Sequence, residues 1–426
     1  MVAREDERMA EGTFDVVVVG AGAAGLTAAL AFAREGYDTA LVGPVRTARD
    51  GRTVALLDGS VRFLEALGVW DALLPHAAPL ETMRLVDATD NLFRAPTVDF
   101  KAHEIDLDAF GWNIENATLV EMLAEALGEV PNLTHLPIAA EGLGGVQAVL
   151  APGDDEPDGA GDRRALRLAD GRAVLARLIV AADGRGSKLR EDAGIRTRSW
   201  AYPQKALTTI LAHERDHRDV STEFHTRHGP FTLVPLPGRR SSLVWVTAPE
   251  KAEDLMALDD EALARAIEKQ ARSLLGAMCV DGPRGIVPMS GMAVSRYTAE
   301  RIALVGETAH VFPPIGAQGL NLGLRDVASL RDAAVETSFG DPGAREALSG
   351  YERSRAVDVR LRTTGVDLLN RTLLAGILPA DFLRGAGLHA LAFVGPLRRR
   401  LMKEGVTPTF GTPQLMRRRE PRAVAF

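Results

Sequence analysis

The distribution of apolar residues in the first part of the chain indicates a parallel sheet covered by helices. Residues 14–19 form a short β-branched apolar run, which is typical of a strand buried on both faces. A glycine-rich turn and an alanine-rich stretch with helical spacing, residues 26–34, follow it directly. Residues 37–42 then repeat the strand pattern. The order strand, helix, strand predicts an α/β arrangement.

A different pattern occupies the middle of the chain. Four short strands, predicted at residues 207–211, 222–226, 231–235 and 242–247, are separated by charged or Gly/Pro turns, as in an antiparallel sheet. The first pattern returns with a strand at residues 301–305, so the antiparallel sheet is predicted to be inserted into the first domain. We expect a pocket at their junction. Four residues are expected to be either its walls or sheet core: Phe224, Phe231, Leu233 and Trp245.

The fold class predicted is therefore α/β (α+β), with a Rossmann-like domain, an inserted antiparallel-sheet domain and C-terminal helices. The Rossmann-like domain is assigned residues 1–90, 111–195 and 296–345. The inserted domain is assigned residues 91–110 and 196–295, and the helical region residues 346–426. Residues 1–13 are predicted to be a frayed tail, and residues 151–162 an acidic exposed loop. A hairpin is predicted from residues 165–168 and 173–175, followed by a separate strand at residues 177–181.

The turn after the first strand carries the glycine spacing of a dinucleotide-binding fingerprint. Gly20 permits the tight turn, Gly22 allows the backbone to reach a pyrophosphate, and Gly25 allows close helix packing. The second strand should end with an acidic residue for the ribose, yet Gly43 follows it. The nearest carboxylate downstream, Asp50, has the wrong spacing, so the ribose-binding residue stays unassigned.

A second glycine-rich segment begins at Gly306 and reads GETAHVFPPIGAQGLNLGL. A strand enters it, and a helix is predicted from about residue 320. The small residues let backbone amides at the helix start approach a ligand closely, which suits an electron-rich, partly anionic ring. An ordinary strand, loop and helix corner has no need of this residue order.

These segments together resemble the FAD-dependent aromatic hydroxylases, the group A flavoprotein monooxygenases, and most closely the hydroxylases of ubiquinone biosynthesis. The block RTVAL at residues 52–56, Ser60 and LGVW at residues 67–70 strengthen the resemblance, which extends over nearly the whole chain. It implies FAD, with NADPH or NADH as reductant. It also implies that a C4a-hydroperoxyflavin passes one oxygen atom to an electron-rich ring, that of a polyprenylated phenol.

The resemblance also implies which residues meet the flavin. Arg52 would neutralise phosphate charge, although it could also be a solvated loop arginine. Glu307 stands where relatives carry aspartate, and His310 is either near the cofactor or a packing residue. No catalytic residue is assigned. The expected flavin-proximal residues are Pro313, Pro314 and Gly316, and the expected cofactor-binding residues are Gly20, Gly22, Ala24, Gly25, Arg52, Asn116, Asp183, Gly184, Gly306, Glu307, Gln318, Gly319, Leu320 and Asn321.

Composition narrows the function classes. The chain has 50 basic and 57 acidic residues and no long basic tract, which argues against nucleic acid as partner. Scattered histidines argue against a metal site. The single cysteine, Cys279, is expected in the core and excludes an internal disulfide, which favours a cytoplasmic location.

Membrane contact is expected to be peripheral, because no run of about twenty apolar residues occurs. Residues 367–404 alternate apolar stretches with basic residues, including Arg398–Arg400, and would either dock on the inner membrane or pack over the domains or another subunit. Other ubiquinone-biosynthesis proteins are expected partners. Two alternative functions remain: hydroxylation of a soluble aromatic or polyketide, and flavin binding without turnover.

Overall fold

The structure, a computed structural model, describes residues 10–89, 96–148, 162–313, 318–337, 340–356, 358–359, 395–406 and 411–418. Helices and strands alternate along them and form a mixed α/β protein, which confirms the predicted fold class. The acidic loop predicted at residues 151–162 lies outside the described residues, except for its last residue. So does most of the predicted C-terminal helical region.

The first sheet has eight strands, with parallel strands at its centre. They are β1 (Ala10–Val19), β2 (Thr39–Val42), β8 (Leu133–Leu136), β9 (Ala140–Ala148), β10 (Asp162–Leu168), β11 (Ala173–Ala181), β18 (Thr298–Ala299) and β19 (Ile302–Leu304). The order is β18-β19-β11-β1-β2-β8, with β10 pairing β11 and β9 pairing β10. Residues 16–19 of β1 are at most 3% exposed, because β1 lies between β11 and β2 and its side chains pack in the main hydrophobic core with residues such as Leu26 and Leu30.

Two details of this sheet differ from the prediction. β1 begins at Ala10, so residues 10–13 are strand and not a frayed tail; Ala10 pairs with Ala173 and Thr13 with Leu175. β11 is one continuous strand where a hairpin arm and a separate strand were predicted. Its length is explained by its neighbours, since it pairs antiparallel with β10 and parallel with β1 and β19.

Ten helices accompany the sheets in the described part of the chain. They are α1 (Ala23–Arg34), α2 (Asp58–Ala66), α3 (Trp70–Leu73), α4 (Asn116–Glu125), α5 (Lys188–Asp192), α6 (Pro249–Ala257), α7 (Asp260–Gln270), α8 (Gln318–Thr337), α9 (345–356) and α10 (Gly395–Val406). Short 3-10 turns occupy Leu74–His76, Ala102–Ile105, Ala126–Glu129, Gly306–Thr308 and Gln414–Met416. α1 and α8 pack against each other beside the first sheet.

The second sheet has nine strands. They are β5 (Thr82–Asp87), β6 (Val98–Lys101), β12 (Thr197–His213), β13 (Val220–Thr226), β14 (Gly229–Leu236), β15 (Arg240–Thr247), β16 (Met278–Val280), β17 (Gly285–Val294) and β20 (His310–Val311). The pairs are antiparallel as predicted, except that β13 and β5 run parallel. β5 belongs to this sheet, so the excursion into it begins at residue 82, earlier than the predicted boundary at 91.

One face of the second sheet is covered by α6 and α7. Phe224, Phe231, Leu233 and Trp245 are at most 7% exposed there and pack with Leu255, Leu263 and Ile267 of the helices. These four residues are sheet core, and the alternative that they form the wall of a pocket at the junction with the first domain is wrong for this reason. Strand alternation puts them on the side of the sheet away from the first domain.

A third, three-stranded sheet bridges the two larger ones. It consists of β3 (Thr53–Leu57), β4 (Ala77–Pro79) and β7 (Gly111–Glu115), in the order β3-β7-β4. The amide of Asn113 in β7 donates to the carbonyl of Pro235 at the end of β14, 2.8 Å away. The bridge fixes the second sheet over the segment that contains Arg52.

The C-terminal helix α10 packs on the Ala102–Ile105 turn. Met402 is buried against Ala102, Ile105 and Phe110, and Arg398 forms an ion pair with Glu104. Arg398 therefore faces the protein. No helix in the described ranges is both long and apolar enough to cross a membrane. Cys279, expected in the core, is exposed on β16 at the edge of the second sheet.

Candidate functional site

Three loops meet where neighbouring parallel strands end. In the first sheet β19, β11 and β1 lie side by side, and their carboxyl ends lead into the segments that begin at Gly306, Asp183 and Gly20. In open parallel sheets, ligands bind outside this edge. Three segments that are far apart in sequence therefore form one candidate site.

The glycines of the first turn divide into crowded and open positions. A Cβ on Gly20, whose φ is +109°, would lie 2.3 Å from the carbonyl oxygen of Ala182, and one on Gly25 would lie 1.8 Å from that of Gly20. A Cβ on Gly22 would meet nothing within 4 Å. Gly22 is also the N-cap of α1 and makes no side-chain cap hydrogen bond. The helix start thus presents backbone amides to an open space.

Thr308 joins the other two loops. Its Oγ1 accepts the N–H of Gly184 at 2.9 Å and donates to Oδ1 of Asp183 at 3.3 Å. The sequence reading did not single out Thr308. Gly184 has φ +87° and no heavy atom within 4 Å of an added Cβ, so its outer side is open like that of Gly22.

Gly306 lies where α1 and α8 cross. An added Cβ there would lie 3.3 Å from Cβ of Ala24 and 3.9 Å from Cα of Gly323, so the three small residues allow the turn to sit between the helices. Ala24, predicted to bind cofactor, contributes to this packing. Glu307 next to it is exposed at the surface of the turn.

Asn321 uses its side chain inside the protein. Its Oδ1 accepts the N–H of Leu57 at 2.9 Å and the hydroxyl of Ser60 at 2.7 Å, and its Nδ2 donates to the carbonyl of Ala55 at 2.7 Å. These bonds tie the start of α8 to β3 and α2. A contact of Asn321 with a cofactor would therefore involve its main chain, which is the group that the sequence led us to expect at the start of this helix.

Arg52 lies at the rim of the site beside two carboxylates. Its guanidinium is 2.6 Å from Asp50, and its pKa is raised chiefly by this hydrogen bond, with a smaller contribution from Glu307. Asp50 is thus engaged by Arg52 and is not placed as a ribose ligand. The carbonyl of Arg52 accepts the N–H of Asn116 at the start of α4, 3.0 Å away, so these two predicted residues are brought together.

A buried charge network lies behind the Gly306 turn. Asp326 of α8 is fully buried; its Oδ2 accepts the N–H of Gly306 at 2.9 Å and lies 2.6 Å from Nε2 of His310. Its Oδ1 accepts Nε of Arg355 at 2.7 Å. Burial alone would raise the pKa of Asp326, but the charges of His310 and Arg355 and these hydrogen bonds lower it.

The loop between β20 and α8 is described only in part. Pro313 is buried directly after β20, whereas Pro314 and Gly316 lie outside the described residues. α8 begins at Gln318, two residues before the predicted start, with Gly319 exposed and Leu320 half-buried. In the described part of the chain no group of three His, Cys, Asp or Glu residues is arranged to hold a metal ion.

Sequence reasoning missed Thr308, Asp326 and Arg355. The lone carboxylate of Asp326 among apolar residues on the buried face of α8 was a usable signal, because an acidic residue is rarely buried without a partner. Arg355 could not have been found this way, since nothing in its neighbourhood shows that it reaches α8.

Comparison with known proteins now identifies the family. The sequence profile of the FAD binding domain matches residues 13–360. The ubiquinone hydroxylase UbiL of Rhodospirillum rubrum is 34% identical, over 96% of this chain and 94% of that protein. The chain belongs to this FAD-dependent hydroxylase family. The 3-demethoxyubiquinol 3-hydroxylase of Escherichia coli is 30% identical, over 91% of this chain and 97% of its own length.

Solved structures share the fold of this family member. p-Nitrophenol 4-monooxygenase PnpA from Pseudomonas putida has a TM-score of 0.72 at 19% identity, covering 92% of this chain and 98% of its own. HpxO from Klebsiella pneumoniae, in complex with FAD, has a TM-score of 0.72 at 18% identity, covering 94% and 99%. The family assignment makes the protein an FAD-dependent monooxygenase, which confirms the predicted enzyme class and cofactor.

The residues present fit FAD. Gly22 leaves open space at a helix N-terminus, in a turn where Gly20 and Gly25 are tightly enclosed, and Gly184 leaves open space in the neighbouring loop after β11. A pyrophosphate carries the charge that such a helix start stabilises. Arg52 lies at the rim with a guanidinium that can meet phosphate.

Proposed function

We propose that this FAD-dependent monooxygenase hydroxylates the aromatic ring of a polyprenylated phenol or quinol in ubiquinone biosynthesis, with NADPH or NADH as reductant. The observation that carries the proposal is the whole-length similarity to two relatives whose names specify ubiquinone hydroxylation. Both alignments cover more than nine tenths of the chain, so they include the second sheet, which supplies the surface opposite the FAD site.

The face of the second sheet that is turned away from α7 supports an apolar substrate. It contacts the FAD domain at one side, where Ser242 Oγ accepts the hydroxyl of Thr53 at 2.8 Å. At the other side β17 pairs with β20, Met292 opposite Val311, just before Pro313. Between these contacts lies a cluster with few polar groups: Ala206, Val244, Val246, Met289 and Tyr202. We call it the aliphatic wall.

Polar groups flank this wall on β13. His225 Nε2 lies 2.7 Å from Glu223 Oε1, and Thr232 Oγ1 lies 3.4 Å from the other carboxylate oxygen of Glu223. Register places Glu223, Thr232 and Val244 in one row across the sheet, on the face of the wall. On the other side of Val244 the register places Thr208. A face that combines aliphatic side chains with hydroxyl groups suits a ring that bears both a hydroxyl and a prenyl chain.

Each part of the site then has a role in the reaction. FAD, when bound, would accept two electrons from the nicotinamide and, by reaction with O2, would supply one activated oxygen atom to the ring, the other oxygen atom leaving as water. The main chain around Gly22 and Gly184 would hold the pyrophosphate, and Arg52 would neutralise phosphate charge. Pro313 and the start of α8 would border the flavin ring, with α8 amides stabilising negative charge. The aliphatic wall would orient the ring and exclude water.

The deciding experiment combines anaerobic flavin spectra with product analysis. The purified FAD-loaded protein is mixed with NADPH or NADH, with a prenylated phenol or its unprenylated counterpart, and then with oxygen. The proposal expects flavin bleaching and a phenol with one added oxygen atom, faster with the prenyl chain. Equal turnover of unprenylated phenols would favour a soluble aromatic substrate. Flavin bands that persist with every phenol would favour a flavin-binding protein without turnover.

We also propose a cytoplasmic location with peripheral contact to the inner membrane, where other ubiquinone-biosynthesis proteins would be neighbours. On α10, Arg399 and Arg400 are exposed, whereas Arg398 is held by Glu104. Neutralising Arg399 and Arg400 together should reduce flotation with anionic liposomes, because each exposed arginine near such a surface contributes about 1 kcal/mol. Arg398→Gln is the control for effects on helix docking. Unchanged flotation of the double variant would refute the contribution of α10.

A further inference from the structure

Helix α9 reaches the FAD-binding turn through a chain of buried polar contacts. Arg355 and Asp326 are both fully buried, and His310 is 2% exposed. One carboxylate oxygen of Asp326 accepts the N–H of Gly306 and lies beside His310, both in the turn segment. The other oxygen accepts a hydrogen bond from Arg355 of α9. The carboxylate therefore stands between a cofactor-binding segment and a helix that follows it in sequence by about forty residues.

Two more contacts of α9 flank the same turn. The hydroxyl of Tyr351 donates to the carbonyl of Leu304 at 2.7 Å, two residues before Gly306. Glu352 accepts the N–H groups of Tyr297 and Thr298 at 2.7 and 3.0 Å, in the segment that leads into β19. α9 thus fixes the strand that enters the turn as well as the turn itself.

The network extends beyond α9. Arg355 Nη1 donates to Asp358 at 2.6 Å, and Arg325 Nε lies 2.8 Å from the same carboxylate. Arg325 also donates to the carbonyl of Gly411, 2.9 Å away. A buried carboxylate is tolerated only when charge and hydrogen bonds compensate its lost hydration. Much of the compensation for Asp326 comes from Arg355, so undocking α9 would leave a buried charge directly behind Gly306.

We propose that Asp326 and Arg355 are positioning residues that couple the docking of α9 to the affinity for FAD. Gly306 has φ +62° and donates its N–H to Asp326. Thr308 in the same turn accepts the N–H of Gly184. Releasing Arg355 shifts Asp326 and with it both ends of this turn. Coupling between two sites is reciprocal. If docking of α9 increases the affinity for FAD by a given factor, bound FAD increases the docking equilibrium constant of α9 by the same factor.

The first test removes the charge on α9 while keeping side-chain length. In Arg355→Met the affinity of the apoprotein for FAD, measured by quenching of flavin fluorescence, should fall about tenfold or more, within the range usual for coupled sites. Arg355→Lys should restore part of it. The matched control is Arg331→Met on α8, because Arg331 pairs with Glu35 and Asp332 and not with the turn. A purely structural role predicts lower melting temperatures for both Met variants with unchanged FAD affinity, which would overturn the proposal.

The second test needs no variant and so does not depend on folding of Arg355→Met. Hydrogen exchange of the amides in residues 345–356 is followed in wild-type protein with and without FAD. Added FAD should slow their exchange, because FAD stabilises the docked helix. Exchange that is identical with and without FAD would refute the coupling. Both readouts are independent of the organic substrate, so they stand or fall separately from the proposed hydroxylation.

Discussion

Gly22 and Gly25 stand three residues apart in one turn but have opposite surroundings. Gly25 faces the carbonyl of Gly20, whereas the space beside Gly22 is open. A side chain at position 25 must therefore displace backbone, while one at position 22 displaces only what occupies the site. Substitutions at these two positions should therefore distinguish a loss of folding stability, at Gly25, from a loss of cofactor binding, at Gly22.

The expected result is that Gly22→Val folds normally and purifies without flavin absorbance. Stability should stay within about 0.5 kcal/mol of the wild-type apoprotein, because nothing in the protein is overpacked. Gly25→Ala should lose about 3 kcal/mol in chemical denaturation. Gly128→Ala serves as control, since an added Cβ there also meets nothing within 4 Å but lies far from the turn in sequence. A Gly22→Val protein that retains FAD would contradict the assigned binding site.

Asp326 should determine part of the acid sensitivity. Its pKa in the folded protein lies below the ordinary value, so its stabilisation is present above about pH 4 and is lost as the pH falls through the folded pKa. Asp326→Asn should cost about 3 kcal/mol at neutral pH, because Arg355 loses one of its two carboxylate partners inside the protein and keeps only Asp358. The difference in unfolding free energy between Asp326→Asn and the wild type should become smaller as the pH is lowered.

Urea unfolding between about pH 3 and pH 7 measures this gap. Asp99→Asn is a suitable control, because the Asp99–Arg84 pair is about 30% exposed on both sides and should contribute at most about 1 kcal/mol. A gap for Asp326→Asn that is constant over the whole pH range would contradict the lowered pKa.

Local spacing allowed some of these residues to be predicted and not others. Gly20, Gly22 and Gly25 follow from the strand, turn and helix order, because backbone geometry demands glycine there. The side chain of Asn321 forms hydrogen bonds with Ala55, Leu57 and Ser60, which are more than 260 residues away in sequence. Its role depends on tertiary contacts that a one-dimensional pattern does not contain.

At the scale of elements, the two faces of the second sheet have different tasks. Phe224 and Trp245 belong to the helix-covered face, and Val244 and Val246 to the aliphatic wall. Alternation along a strand predicts that two faces exist, but both are apolar here. The sequence could not show which face helices cover, and the larger aromatic residues proved to be on the covered one.

Substitutions on the two faces should therefore differ in effect. Val244→Thr keeps the side-chain volume and adds a hydroxyl to the aliphatic wall, which should lower kcat/KM for a prenylated phenol about tenfold. Val86→Thr, on the helix-covered face, should instead reduce stability and leave kcat/KM unchanged. Steady-state kinetics and thermal unfolding of both variants distinguish the faces. Equal kinetic effects of the two variants would contradict the assignment of the wall.

At the scale of the whole molecule, the sequence predicted an inserted sheet because the parallel pattern stops and later returns. The structure adds that the chain enters this sheet three times, first with β5 and β6, then with β12 to β17, and finally with β20. β5 pairs parallel with β13, more than 130 residues downstream. Such pairing between distant strands leaves no local pattern, which is why the boundary at residue 91 was wrong.

FAD should stabilise this molecule as a whole, since its proposed site is built from the loops after β1, β11 and β19. At a free FAD concentration of 100 times Kd, the gain in unfolding free energy should be about 2.7 kcal/mol. Thermal unfolding of apoprotein over a series of FAD concentrations measures it. Gly22→Val should show no such shift, and a shift equal to that of wild type would indicate that FAD binds elsewhere.

The order of these three strands in the chain has a consequence for biosynthesis. A ribosome completes β1 at residue 19 but reaches the Gly306–Thr308 turn only 289 residues later. At about 5–20 residues per second, this takes roughly 15–60 s. The proposed FAD site is therefore incomplete until this turn has been made, whereas β1 gains its two strand neighbours earlier, β2 by residue 42 and β11 by residue 181. Chaperones that bind emerging apolar segments would therefore act on this first strand before β11 has been made, and on the loops of the proposed site only later.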